Sequence, residues 1–134
     1  MANRLLKQFQ GTLEAGVVKL YGVVTTSTSG TIASQSCKGF SVAKTPGKSG
    51  RYTVTLADYY SALLHCGVVI EGSSDAAYTS AKGLTHILRN VSVSSSGKTF
   101  DIQFNDPDGS PADAEIENSA KFYIEITLKN SSAY

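Results

Sequence analysis

The segment Gly50–Leu64 changes its hydrophobic period at its midpoint, and it restricts the fold more tightly than any other stretch. Tyr52, Val54 and Leu56 are apolar, while Thr53 and Thr55 between them are polar. That alternation is the mark of a strand with one buried face. After Asp58 the spacing differs. Tyr59 with Leu63, and Tyr60 with Leu64, stand four residues apart and share a face only in a helix. Asp58 is placed to cap such a helix at its N-terminus. The segment therefore predicts a strand that runs into a short helical turn closing one end of a sheet. Its residues read as core, with no evident nucleophile, base or ligand among them.

A chain of 134 residues predicts one domain, and that length buries enough surface for a core without covalent staples. The formal charge of +1 gives no basic field for nucleic acid. Charge is nonetheless uneven along the chain. Residues 1–60 hold seven Lys/Arg and two Asp/Glu, a net of +5; residues 61–134 hold five and nine, a net of −4. Such asymmetry suits head-to-tail packing of copies or docking onto an acidic surface. The first ten residues lack the apolar core of a signal peptide, and no run has the length of a membrane span. The expectation is synthesis in a cytoplasm, with no membrane partner. Cys37 and Cys66 have neither CxxC spacing nor a histidine partner at ligand spacing, which predicts free thiols, buried or half-buried.

Taken in order, residues 1–12 read as an N-terminal arm and residues 13–134 as a single β-rich domain. Leu5, Leu6 and Phe9 are too few to hold the arm in a helix alone, so it needs its own sheet or a neighbour to lie on. Glu14–Thr26 reads as a strand apolar on both faces through Val17, Val18, Leu20 and Tyr21, with Gly22 at a bulge. Thr25–Ser36 reads as a Ser/Thr-rich loop with a short strand near Thr31–Ala33. Gly39–Lys44 and residues 51–56 form a hairpin around the Pro46-Gly47 turn. Cys66–Glu71 reads as a short buried strand and Gly72–Gly83 as a loop. Leu84–Ser95 alternates with a possible register shift, and Ser94–Lys98 is a hairpin turn. Phe100, Ile102 and Phe104 bury one face of the next strand, opposite Asp101 and Gln103. Asn105–Glu117 is an acidic loop. Ala120–Lys129 is the last strand, with Phe122, Ile124, Ile126 and Leu128 inward. Seven or eight turn-linked strands predict an all-β antiparallel sandwich or jelly-roll-like domain, with a short helical turn and the arm.

The sequence carries no catalytic motif. His65 and His86 read as structural, and four scattered Cys and His residues do not make a zinc site. The stretch at Thr45–Gly50 lacks the GxxxxGK[ST] pattern of a phosphate loop. The acidic loop has its glycine wrongly placed for calcium, Pro107 interrupts it, and no glutamate falls at the twelfth position. The sequons Asn90-Val91-Ser92 and Asn130-Ser131-Ser132 matter only in a secretory pathway. No metal, cofactor or catalytic residue is expected.

The segments GxYTVTLxDxY (Gly50–Tyr60), FxDPxGxxAD (Phe104–Asp113) and IxLKNSS (Ile126–Ser132) resemble those of tailed-bacteriophage head decoration, or cement, proteins. The resemblance spans roughly residues 39–132, and its motifs are structural. It implies a β-rich virion protein that binds the outside of a capsid as a dimer or trimer and strengthens it. The implied partners are the major capsid protein and further copies of this chain, with a trimer favoured over a dimer. The arm and the strand at 14–26 look unfinished in a monomer. Leu5, Leu6, Phe9, Val17, Val18, Leu20 and Tyr21 are therefore the expected contacts, and the arm is expected to cross to an adjacent subunit or the capsid. The alternative is a receptor- or glycan-binding module of a phage head or tail fibre, using loop aromatics such as Tyr59, Tyr60 and Tyr78.

Overall fold

A computed structural model of the chain describes residues 16–27, 30–72, 84–94, 96–105 and 120–129. The described residues contain eight strands: β1 (Val17–Thr26), β2 (Ile32–Cys37), β3 (Phe40–Lys44), β4 (Arg51–Leu56), β5 (Ala62–Glu71), β6 (Thr85–Val93), β7 (Lys98–Asn105) and β8 (Lys121–Lys129). They form two four-stranded sheets with orders β2-β1-β8-β5 and β3-β4-β7-β6. Every neighbouring pair is antiparallel. The protein is an all-β sandwich. The arm (1–12), the loop with Tyr78, the acidic loop beyond Asn105 and the tail lie outside the described residues.

Alternation builds the core. Val54 and Leu56 from β4, Phe100, Ile102 and Phe104 from β7, and Phe122, Ile124, Ile126 and Leu128 from β8 are all buried in one cluster. Each such side chain contributes roughly 1.5–3 kcal/mol on burial, so β8, with four, is a central strand on energetic as well as topological grounds. Tyr52 joins the sheets. Its ring packs edge-on to Phe104 at 5.7 Å and to Phe122 at 5.6 Å, and its hydroxyl donates to the Gly30 carbonyl. A buried phenol needs such an acceptor. The hairpin of β3 and β4 has the expected register, with Val42 opposite Val54.

Five expectations are corrected. First, residues 57–61 are bends and the described residues contain no α-helix. Tyr60 enters the core, whereas Leu64, four residues on, is 51% exposed at a register shift between Leu63 and His65. A two-turn helix is marginal on its own; pairing with β8 along nearly the whole of β5 outweighs it. Second, β5 is ten residues long and only half buried, because it is an edge strand. Third, β2 (Ile32–Cys37) takes up the C-terminal part of the predicted Ser/Thr loop and runs past the short strand expected near Thr31–Ala33. Fourth, Gly22 is not a bulge; the β1–β2 irregularity falls at Thr25/Thr26. A Cβ at Gly22 would stand 2.5 Å from Cys37 Sγ and 2.6 Å from the Phe40 ring, so glycine is required by close approach. Fifth, both faces of β7 are buried, including Asp101 and Gln103.

The two sides of the sandwich differ. On the β2/β3 side, the Gln35 side chain donates to the Val42 carbonyl and accepts from the Val42 amide, both at 2.9 Å. That side chain occupies the free edge of β3 at this point and blunts it against further pairing. Gln35 therefore links the edges of the two sheets, and Phe40 and Val42 are buried behind it. On the other side, the inward residues Leu63, Cys66, Val68 and Ile70 of β5 and Leu88 of β6 are only partly buried.

Candidate functional site

Alternation along β1 sends Val18, Leu20 and Val24 toward the core and Tyr21 and Val23 to the outside of the β2-β1-β8-β5 sheet. Val18 and Leu20 thus pack against the core, while Tyr21 stands 59% exposed on the outer face. Register completes that face. Val23 lies opposite Tyr123, and Tyr123 opposite Val69, which gives an apolar row across three strands. One row along, Tyr21 lies opposite Glu125 and Glu125 opposite Gly67. His65 follows beyond Gly67, opposite Thr127.

Gly67 makes the face concave. A side chain here would meet only His65, at 3.2 Å, so the position is a gap left open to solvent. Around it lies an open depression of about 640 Å³, walled by Tyr21, Val69, Tyr123 and His65, with Lys38 and Glu125 at its rim. Its volume is in the range of ligand-sized clefts. Val69 is 67% exposed and Tyr123 41%. Interfaces between proteins are enriched in aromatic and aliphatic exposure of this kind. Tyr123 is oriented by its hydroxyl, which donates to Glu71 Oε2 at 2.9 Å. That hydrogen bond, with some desolvation and the Glu71 charge, raises the phenol above its usual pKa. The Lys19–Glu125 pair, at 3.9 Å and well exposed, adds little energy.

The opposite outer face is polar and self-satisfied. Asp101 accepts from Thr53 Oγ1 through Oδ1 and from Asn90 Nδ2 through Oδ2, both at 2.8 Å. Gln103 accepts from Arg51 Nε and donates to the Ser49 and Phe104 carbonyls, each at 2.9 Å. Asn90 reaches Asp101 because it adopts a left-handed φ of 51° where β6 and β7 shift register. With its carboxylate and amide groups committed internally, this ladder locks strands together and offers little to a ligand. Sequence periodicity missed it, since an alternating strand predicts outward polar residues in water.

The other candidate groups do not converge. His65 lies on the outer face of one sheet, whereas His86 belongs to the other and packs 6.0 Å from the Phe104 ring. Among the described residues, no three His, Cys, Asp or Glu side chains gather where a metal ion would fit. Cys37 and Cys66 are free thiols. Burial pushes Cys66 up to about 11 and also raises Cys37, against a hydrogen bond from the Val23 backbone that lowers it. Both are protonated, weakly nucleophilic groups at neutral pH. Tyr59 is exposed, with Lys98 Nζ 5.1 Å from its ring centre, but Tyr60 is buried, so these two do not form a loop cluster. Leu5, Leu6, Phe9 and Tyr78 lie outside the described residues. Tyr123, Val69 and Gly67 were not legible as site residues, because only the strand order places them beside Tyr21.

The fold and face thus define a class, an all-β sandwich with an apolar, aromatic outer surface. Comparison of the chain with family models, with characterised proteins and with solved structures gives no match.

Proposed function

We propose that this chain is a structural virion protein that binds the outer surface of a phage capsid and stabilises it, without catalysis. The motif resemblance at Gly50–Tyr60, Phe104–Asp113 and Ile126–Ser132 suggests the particle. The observation that carries the reading is the outer face of the β2-β1-β8-β5 sheet, where Tyr21, Val69 and Tyr123 stand exposed around the gap at Gly67. A protein whose most developed feature is such a face is built to be covered by another protein. In this reading the partners are the major capsid protein and further copies of the chain in a symmetric oligomer, a trimer favoured over a dimer. No role is assigned to His65 or His86, which lie on different sheets.

Binding only to the assembled shell stabilises it by mass action. Particles made without this protein should therefore form normally but break at lower temperature. Adding back the purified chain should restore them, and adding a Tyr21→Asp, Val69→Asp variant should not. Heads that never form without the chain would instead assign it to shell construction. Full restoration by the double variant would remove the outer face from the mechanism.

A further inference from the structure

We infer that β5 pairs along its outer edge with β5 of a second copy of this chain, antiparallel and about a two-fold axis at Val68. The two β2-β1-β8-β5 sheets then join into one sheet of eight strands. This pairing goes beyond the capsid reading and does not depend on it. It gives the self-association a two-fold axis, where the resemblance favours a trimer. Three observations on described residues carry it.

The first is an open, unblunted edge. Among the described residues, no strand pairs with β5 on the side away from β8. Exposed edges are ordinarily blunted by lysine, proline, a bulge or shortness. The β3 edge is occupied by the Gln35 side chain, β2 is six residues long, and β6 is interrupted by the left-handed Asn90 at its register shift. From His65 to Glu71, β5 contains no lysine or proline, and its one register shift lies earlier, at Leu63/His65. Its inward side chains Cys66, Val68 and Ile70 are only partly buried, so the core too is half covered along this edge.

The second is which backbone groups point outward. The Thr26 amide donates to the Ala120 carbonyl, in register with the pairing of β1 and β8. Antiparallel positions alternate in their bonding, so even-numbered residues of β8 turn their backbone groups to β1 and odd-numbered ones to β5. Lys129 conforms, its carbonyl accepting from the Ser61 amide. Thr127, Glu125 and Tyr123 lie opposite His65, Gly67 and Val69, so those three residues of β5 bond to β8. The amides and carbonyls of Cys66, Val68 and Ile70 therefore face the open edge. A two-fold axis at Val68 sets Val68 opposite itself and Cys66 opposite Ile70, and every one of these groups meets a partner. An axis at Gly67 would instead set Ile70 against the bulged Leu64, and an axis at Val69 would set Cys66 against Gly72, beyond the strand.

The third is the match of side chains in that same register, which selects a second copy over an unrelated strand. On the outer face Gly67 stands opposite Val69 of the second copy, at a position without ladder hydrogen bonds, where side chains come closest. The gap at Gly67, in which a side chain would meet only His65, receives a valine that is otherwise 67% exposed. His65 stands opposite Glu71 of the second copy, a donor against a carboxylate. On the inner face Val68 meets Val68, and Cys66 meets Ile70, so each half-covered group gains an apolar neighbour. Apart from the contact on the axis, each occurs twice by symmetry, as a self-complementary interface requires. The outer faces bearing Tyr21 and Tyr123 then lie on one side of the joined sheet.

The test uses the purified full-length chain with no capsid present, so it fails or succeeds independently of the virion reading. The wild-type chain should be a dimer by light scattering and should dissociate on dilution. Hydrogen exchange followed by NMR should slow about tenfold or more at the Cys66, Val68 and Ile70 amides as the dimer forms. The His65, Gly67 and Val69 amides, bonded to β8, should be slow at every concentration. Cross-linking reads the register. With Cys37→Ala and Cys66→Ala in place, Gly67→Cys is introduced in one preparation and Val69→Cys in another. The two, carrying different tags and checked for an intact sheet by circular dichroism, are mixed and oxidised. The mixed disulfide should exceed either homodimer. An excess of the homodimer linked at position 67, or of that linked at position 69, would overturn the axis at Val68. A trimer, or a chain that stays monomeric at high concentration, would overturn the pairing. Slow exchange at Cys66, Val68 and Ile70 in such a monomer would give the edge to another segment of the same chain. Should either cysteine variant lose its sheet, the exchange pattern of the wild-type chain decides alone.

Discussion

Thr53, Val54, Thr55 and Leu56 are neighbours in sequence with different physical stakes. Leu56 is 1% exposed, and Leu56→Ala should cost about 2–5 kcal/mol in urea unfolding. Thr55→Ala, on the outer face, should cost well under about 1 kcal/mol. Thr53 lies on that same face, yet it donates to the buried Asp101 carboxylate. Thr53→Ala strips a partner from a buried charge and should cost about 1–3 kcal/mol. Equal losses at Thr53 and Thr55 would remove Asp101 from the stabilising network. Cys66 carries a second residue-level prediction. Its folded pKa is raised from 9.0 to about 11 by burial, so the native state holds the proton more tightly than the unfolded chain. Stability contributed by the neutral thiol is complete below pH 9 and is lost as pH rises from about 9 to 11. Cys66→Ser should flatten that part of the stability curve, measured by chemical denaturation at closely spaced pH values. Native Cys66 should also react with iodoacetamide at pH 8 far more slowly than the denatured chain.

At the scale of elements, β5 is where local and long-range preferences compete. The i,i+4 spacing of Tyr59, Tyr60, Leu63 and Leu64 favours helix, but nine paired positions with β8 favour strand. Pairing prevails, helped by Ser61, whose amide and hydroxyl both donate to the Lys129 carbonyl at 2.9 and 3.0 Å. The two alternatives assign Leu64 differently. In the strand, Leu63 packs on the core and Leu64 is the extra, exposed residue at the register shift. Leu64→Lys should therefore change the melting temperature by only a degree or two, since surface substitutions fall within about 0.5 kcal/mol. Leu63→Lys should unfold much of the protein at 37 °C. A large loss from Leu64→Lys would restore the helix. The same contest explains β2. Between Ile32 and Cys37 its residues are Ala, Ser, Gln and Ser, weak formers of a buried strand, and β1 beside them and Gln35 bridging to Val42 draw them into the sheet.

The whole molecule shows which facts were local and which were not. Period-two runs in β4, β7 and β8 were legible because a strand with one wet face must alternate, and the hairpin of β3 and β4 followed from its Pro-Gly turn. Those runs determined the all-β class, most of the core and the antiparallel habit. Neither the pairing of β1 with β8 nor that of β5 with β8 was legible, since the partners lie about one hundred residues apart in the first case and about sixty in the second. That pairing alone sets Tyr21, Tyr123 and Val69 around Gly67 and makes a surface from residues that look unremarkable one strand at a time. It also decided that Val18 and Leu20 serve the core while Tyr21 serves the surface, and that Asp101 is buried beneath its partners. Hydrophobic alternation is written in neighbouring residues and can be read from them. Strand order and the concavity of a face are products of long-range pairing energy, which appears only when the chain has closed into two sheets.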